Sequence, residues 1–196
     1  MEQKQRYTVA DYFRIDAESP ERFEFCDGQI IAMAGGSEAH SLITANIIGE
    51  LRNRLKGTPC RVYDSNLRVR AAQDIRYTYP DALVVCGKTE FDPVDAGKTT
   101  IINARVIVEV LSPSTERSDR GEKFKRYIMS PSFEEYVLVS QDKPQVETIL
   151  RQPDGTWSLA YFDGLEAMAR LRSIKVDIPM TEVYSGVTFP SPESRE

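Results

Sequence analysis

Histidine is almost absent from this chain, and its scarcity excludes more chemistry than any single residue present. With one histidine, His40, a His-rich zinc centre is ruled out. A serine–histidine nucleophile is ruled out as well unless His40 is its base. Cysteine is scarce too: the three residues Cys26, Cys60 and Cys86 are too few and too scattered for a disulfide framework or a thiolate metal site. Cys60 opens an apolar run and Cys86 closes one, as buried free thiols do. No run of about 18 apolar residues occurs, so no membrane span is expected. The segment Met1-Glu2-Gln3-Lys4-Gln5-Arg6 lacks the apolar stretch of a secretory signal, which makes a cytoplasmic address the expectation. Hydrolytic chemistry, if present, has to rest on carboxylates, lysine and a hard metal.

What is present is ordinary globular material: 41% hydrophobic and 28% charged residues in 196, enough for one core in one domain. The net charge of −5 argues mildly against a nucleic-acid partner, but its distribution is uneven. Between 50 and 76, Arg52, Arg54, Lys56, Arg61, Arg68, Arg70 and Arg76 stand against Glu50, Asp64 and Asp74. A basic middle on an acidic chain fits a phosphate-facing cleft and fits a solvated charged face equally well.

Periodicity and turn chemistry divide the chain. Thr8 caps a short helix in TVADYFRID. Asp27-Gly28 between two apolar runs marks a hairpin, with Phe23 and Phe25 on one face and Glu24 on the other. Ser37 caps a helix over roughly 38–56, with Gly57 as its stop and His40 in its first turn. Strands are expected near 60–70, 79–86 and 104–111, the last two dense in β-branched residues and buried on both faces. A polar loop with a short helical turn separates these two, over 87–103. A helix over about 117–129 stops at Ser130-Pro131, and a strand follows at 135–140. The remainder reads as antiparallel: strands at 146–150 and 157–161, then Leu171 to Ile178. The tail 191–196 is expected to be disordered. The order of elements indicates an α/β or α+β sandwich with a mixed sheet.

Two acids stand out against this frame. Glu109 interrupts the apolar strand Val106-Ile107-Val108-Glu109-Val110-Leu111, and an unpaired buried carboxylate is costly. An arginine partner would neutralise it; so would a metal ion. Asp81 follows Pro80 at the mouth of the other buried strand. On the helix after Pro113, Asp119, Lys123 and Tyr127 recur at i, i+4 and i+8 and share one face. Asp119 can hold Lys123 towards a reacting phosphate, and the same spacing also suits a plain surface ion pair. Lys125, two residues on from Lys123, faces elsewhere.

Phe23-Glu24-Phe25-Cys26-Asp27-Gly28 with His40 downstream, Tyr79-Pro80-Asp81, the run Val108-Glu109-Val110-Leu111-Ser112-Pro113-Ser114-Thr115, and Asp119-Arg120-Gly121-Glu122-Lys123 followed by Tyr127 together resemble the Uma-two family of restriction-endonuclease-like proteins. That family lies within the PD-(D/E)XK nuclease superfamily, and the resemblance runs from Arg22 to about Leu150. It implies a restriction-endonuclease-like core over about 22–150 with a central mixed sheet flanked by helices. It also implies Mg²⁺- or Mn²⁺-dependent hydrolysis of DNA, with Asp81 and Glu109 as metal-binding catalytic acids. The superfamily pattern puts its lysine two residues after the strand acid, where this chain has Leu111. The resemblance therefore implies that the lysine has moved to the helix as Lys123. Glu24 resembles an additional acid, and a salt bridge to Arg22 is the plainer alternative for it. His40 fits contact with phosphate or water and equally a solvent-exposed histidine near a helix N-terminus, and Tyr127 fits support of the site or simple packing. A homodimer pairing through strands 146–161 is the expected assembly. A catalytically silent nuclease-fold module, or a phosphodiesterase for RNA or nucleotides, fits the same residues.

Overall fold

The computed structural model describes residues 6–33, 35–71 and 75–190; the expected disorder of the tail from Ser191 falls outside them. Helix α1 (Val9–Glu18) starts at a reciprocal capping box in which the Thr8 hydroxyl accepts the Asp11 amide and the Asp11 carboxylate accepts the Thr8 amide. Strands β1 (Phe23–Cys26) and β2 (Gln29–Ala32) form the expected hairpin. Asp27 and Gly28 both have positive φ, 49° and 81°, as the tight two-residue turn requires. Helix α2 (Glu38–Arg54) is capped by the Ser37 hydroxyl, which accepts the His40 amide.

Strands β3 (Cys60–Asp64), β4 (Arg68–Val69), β5 (Ala82–Cys86), β6 (Thr100–Ile101) and β7 (Val106–Leu111) follow. The segment expected as a loop with a helical turn instead contains β6, which pairs in parallel with β4. The next helix occupies 116–127 in three consecutive pieces, an α turn (Glu116–Ser118), a π turn (Asp119–Lys123) and an α turn (Phe124–Tyr127), together called α3. Beyond it lie β8 (Glu135–Ser140), β9 (Gln145–Arg151), β10 (Trp157–Asp163), β11 (Met168–Leu171), β12 (Val176–Pro179) and a single-turn helix α4 (Met180–Val183). Leu171 to Ile178 is thus a hairpin rather than one strand, turning through Lys175 at φ 55°.

Six strands build one mixed sheet in the order β10-β9-β8-β7-β5-β3. Only β7 and β8 run parallel, and α3 makes the crossover between them. Both central strands are covered on both faces, so alternation along them decides which layer each side chain meets. Val106, Val108 and Val110 face α2, packing with Ile43, Ile47 and Leu51. Ile107 and Leu111 face the α3 layer, with Tyr127, Phe133 and Tyr136. Glu109 has the phase of this second set. A separate aromatic cluster of Tyr12, Phe25 and Tyr77 joins α1 to the first hairpin.

The reading of Cys60 and Cys86 as free thiols is corrected. The β3–β5 register sets them directly opposite each other, and they form a disulfide. Cys26 stays free. Part of the basic excess over 50–76 is internal, while Arg52, Arg54, Lys56 and Arg61 stay exposed. Arg68 pairs with Asp16 and Asp95, at 2.8 and 3.2 Å, and Arg70 with the buried Asp92 at 2.6 Å. Among the described residues no helix is long and apolar enough to cross a membrane.

Candidate active site

The lysine expected from helix-face spacing lies inside the protein. Lys123 Nζ stands 3.2 Å from Glu109 Oε1, 3.0 Å from Asp119 Oδ1 and 3.5 Å from Glu24 Oε1. Its side chain is 11% exposed, so the surface-pair reading of Asp119–Lys123 does not hold. Three elements supply this cluster: β7 brings Glu109, β1 brings Glu24, and the π turn of α3 brings both Asp119 and Lys123. A π turn widens the helix locally and is a recurrent device where a side chain must be re-aimed. Lys125 points away, 68% exposed and paired with Glu122.

Each neighbour is held in turn. The Tyr79 amide donates to Glu24 Oε1 at 3.2 Å. Arg22, the alternative partner for Glu24, instead donates to the Ser65 carbonyl and to Asn66. Tyr127 does more than pack: its hydroxyl donates to Glu109 Oε1 at 3.4 Å and shares a 2.8 Å hydrogen bond with Thr78. Asp119 is 1% exposed. Its Oδ1 lies within ion-pair distance of Lys123 but out of line for a hydrogen bond, and receives no donor.

Asp81 sits one residue ahead of β5, at the end of the sheet. Its Oδ2 accepts the Val110 amide at 2.7 Å and lies 3.2 Å from His40 Nε2. His40 therefore reaches the strand-end acid from the α2 layer, while Lys123 reaches the strand acid from the α3 layer. Leu111, in the superfamily's lysine position, is buried among the aromatics of the α3 layer.

The electrostatics are those of too many carboxylates in too little water. Burial pushes Glu109 well above the usual glutamate range; Lys123 draws it back, while the charges of Asp119, Asp81 and Glu24 push it further up. Burial alone would lower Lys123, but Glu109 and Glu24 outweigh it and hold the ammonium above the ordinary lysine value. The Asp81 carboxylate raises His40. Beside the cluster opens a cavity of about 50 Å³ lined by Glu24, Thr78, Arg76, Lys123, Arg126 and Tyr127 among others.

Thr78 and Gln141 carry no mark in the sequence. Thr78 binds Tyr127 from 49 residues away, and Gln141 accepts the Ser37 hydroxyl across 104. No local spacing signals such contacts; Gly35-Gly36, ahead of the α2 cap, reads in the sequence only as the break after the hairpin.

A mixed six-stranded sheet with helices on its faces is a restriction-endonuclease-like architecture. Residues 9–180 match the model of the Uma2 family, described as "Putative restriction endonuclease", and the chain belongs to that family. Two relatives come from Synechocystis sp. (strain ATCC 27184 / PCC 6803 / Kazusa). "Uncharacterized protein slr1290" is 34% identical over 180 residues, covering 91% of this chain and 92% of the relative. "Uncharacterized protein sll1609" is 30% identical over 169 residues, covering 86% and 94%. The crystal structure of "a putative nuclease belonging to DUF820" from Anabaena variabilis ATCC 29413 superposes with a TM-score of 0.70. It covers 92% of this chain and 99% of its own at 16% identity, a likeness of fold.

Proposed function

We propose that this protein is a divalent-metal-dependent endonuclease that hydrolyses DNA phosphodiester bonds. The observation that carries the proposal is a buried charge imbalance: Glu24, Glu109 and Asp119 share the single ammonium of Lys123. Isolated buried carboxylates are expensive, so an excess of them gathered from β1, β7 and α3 around one ammonium calls for a further cation. The donor set fits Mg²⁺. Its oxygens are hard, and Mg²⁺ takes only one or two protein carboxylates while keeping several waters. Among the described residues no group of three or more His, Cys, Asp or Glu side chains is gathered to hold a metal ion, so a cation here would rest on two carboxylates and water. Asp81 and Glu109 would hold the ion. Once bound, Mg²⁺ (or Mn²⁺) supplies Lewis acidity to the phosphate and a more acidic water.

The chain's own residues do the rest. Lys123 stays charged and, held by Asp119, orients the attacking water and offsets charge developing on the phosphate. Tyr127, fixed by Thr78, keeps the Glu109 carboxylate oriented, and Glu24 restrains Lys123 from the hairpin side. The lysine reaches Glu109 from α3, which leaves Leu111 free to pack in the core. A homodimer joined through β10, which among the described residues pairs only with β9 and exposes Leu159 and Tyr161, suits cleavage of both strands.

Purified protein is expected to nick supercoiled plasmid with Mg²⁺ or Mn²⁺ and not with EDTA. If Asp81→Ala or Lys123→Ala nicks as fast as wild type, these roles are wrong. The internal pairing of Arg68 and Arg70 favours one other reading, a catalytically silent module of nuclease fold. Failure to bind DNA at low salt, where phosphate contacts are strongest, would support that reading instead.

A further inference from the structure

The sole histidine, its side chain 20% exposed, abuts the carboxylate of Asp81 rather than the ammonium of Lys123. We propose that His40 is a positioning residue for Asp81, seated by the bare α-carbon of Gly36, and that its role is to fix that carboxylate for a divalent cation. The inference rests on the metal-binding role given to Asp81 above and extends it to residues that take no part in the chemistry.

His40 Nε2 lies 3.2 Å from Asp81 Oδ2, at ion-pair distance, and because a carboxylate can only accept, the arrangement favours a proton on Nε2. The same oxygen accepts the Val110 amide at 2.7 Å. Two groups from different layers meet at one oxygen, the Val110 amide by a hydrogen bond and the His40 imidazole at ion-pair distance, and together they restrict rotation of the carboxylate. Among the described residues Oδ1 accepts no hydrogen bond, so the second oxygen is left for a cation. A ligand held by an outer hydrogen bond in this way commonly owes it a tenfold to hundredfold gain in metal affinity.

The imidazole is itself held from behind. Its backbone amide donates to the capping hydroxyl of Ser37, which donates in turn to Gln141 Oε1 at 2.7 Å. A Cβ added at Gly36 would stand 2.9 Å from His40 Nδ1 and 3.2 Å from Cγ, closer than packed atoms tolerate. Gly36 does not have positive φ, so alanine is compatible with the backbone there. What an alanine would displace is the ring.

Mn²⁺ binding to the metal-free protein, measured by calorimetry without DNA, tests this. His40→Ala and Gly36→Ala are each expected to weaken binding about tenfold to a hundredfold, with little change in melting temperature. His40→Gln, which keeps an N–H at similar reach, is expected to bind close to wild type. In the double variant, Gly36→Ala should cost nothing beyond His40→Ala, because its only effect is on the ring. The proposal is overturned if His40→Ala binds Mn²⁺ like wild type, or if Gly36→Ala costs as much again when the imidazole is gone. Asp81→Asn separates the two levels. If it too binds like wild type, the metal-binding role of Asp81 fails; if it alone loses binding, only the role of His40 fails.

Discussion

Glu109 is held at a cost to folding. Its carboxyl is buried and pushed up, chiefly by burial, so the folded chain holds this proton to a higher pH than the unfolded chain does. Stability of the metal-free protein should therefore fall as pH rises above the usual glutamate value of about 4.3 towards the raised one. Glu109→Gln removes that slope and is expected to raise the melting temperature near neutral pH while abolishing cleavage, with thermal melts over a pH series as the check. Lys123→Ala is the mirror case. It leaves the buried carboxylates without their ammonium, and losses of about 3–5 kcal/mol are usual when one partner of a buried pair is removed. Chemical denaturation should show part of that loss recovered in the double variant with Glu109→Gln, since Asp119 and Glu24 still lack the ammonium.

At this scale the sequence was informative where one residue broke its own surroundings. A charge in an apolar strand exposed Glu109, and i, i+4 spacing brought Asp119 and Lys123 together. Spacing alone did not distinguish a buried pair from a solvated one. That distinction depends on where α3 lies over the sheet, and the sheet is assembled from distant strands.

Among the elements, those whose signals are local were readable. The capping hydroxyls of Thr8 and Ser37 and the Asp27-Gly28 turn depend on neighbours within a few residues. Ser37→Ala should cost about 1 kcal/mol as a lost N-cap, measured by denaturation, and should also loosen the link to Gln141. The π turn in α3, the short β4–β6 pair and the 171–178 hairpin were missed. Each is set by tertiary contacts that override a weak or misleading local pattern. The Cys60–Cys86 bond was missed for the same reason: 26 residues separate partners that only strand register brings face to face. Closing a loop of that length is worth roughly 3 kcal/mol. Reduction should lower stability by about that amount in denaturant melts, and Cys60→Ser should abolish the difference between oxidised and reduced protein.

For the whole molecule, the mixed sheet followed from two strands buried on both faces and a helix between parallel neighbours. The electrostatic reading followed less well. Counting arginines suggested a basic middle, yet Arg68 and Arg70 are paired inside the fold with aspartates far away in sequence. DNA affinity is accordingly expected to be modest and to fall with salt by only a few phosphate contacts' worth of slope, as titration at several salt concentrations would show.

The central claim is that carboxylates at the end of the sheet bind a divalent cation to cut DNA, and one comparison tests it most directly. Plasmid nicking is followed against free Mg²⁺ for wild type and Glu109→Gln, both shown to be folded by their melts. The account predicts saturable, EDTA-sensitive nicking by wild type, and a rate lower by on the order of a hundredfold or more in a variant that is at least as stable. Nicking that persists in EDTA, or that proceeds at the wild-type rate in Glu109→Gln, would contradict it.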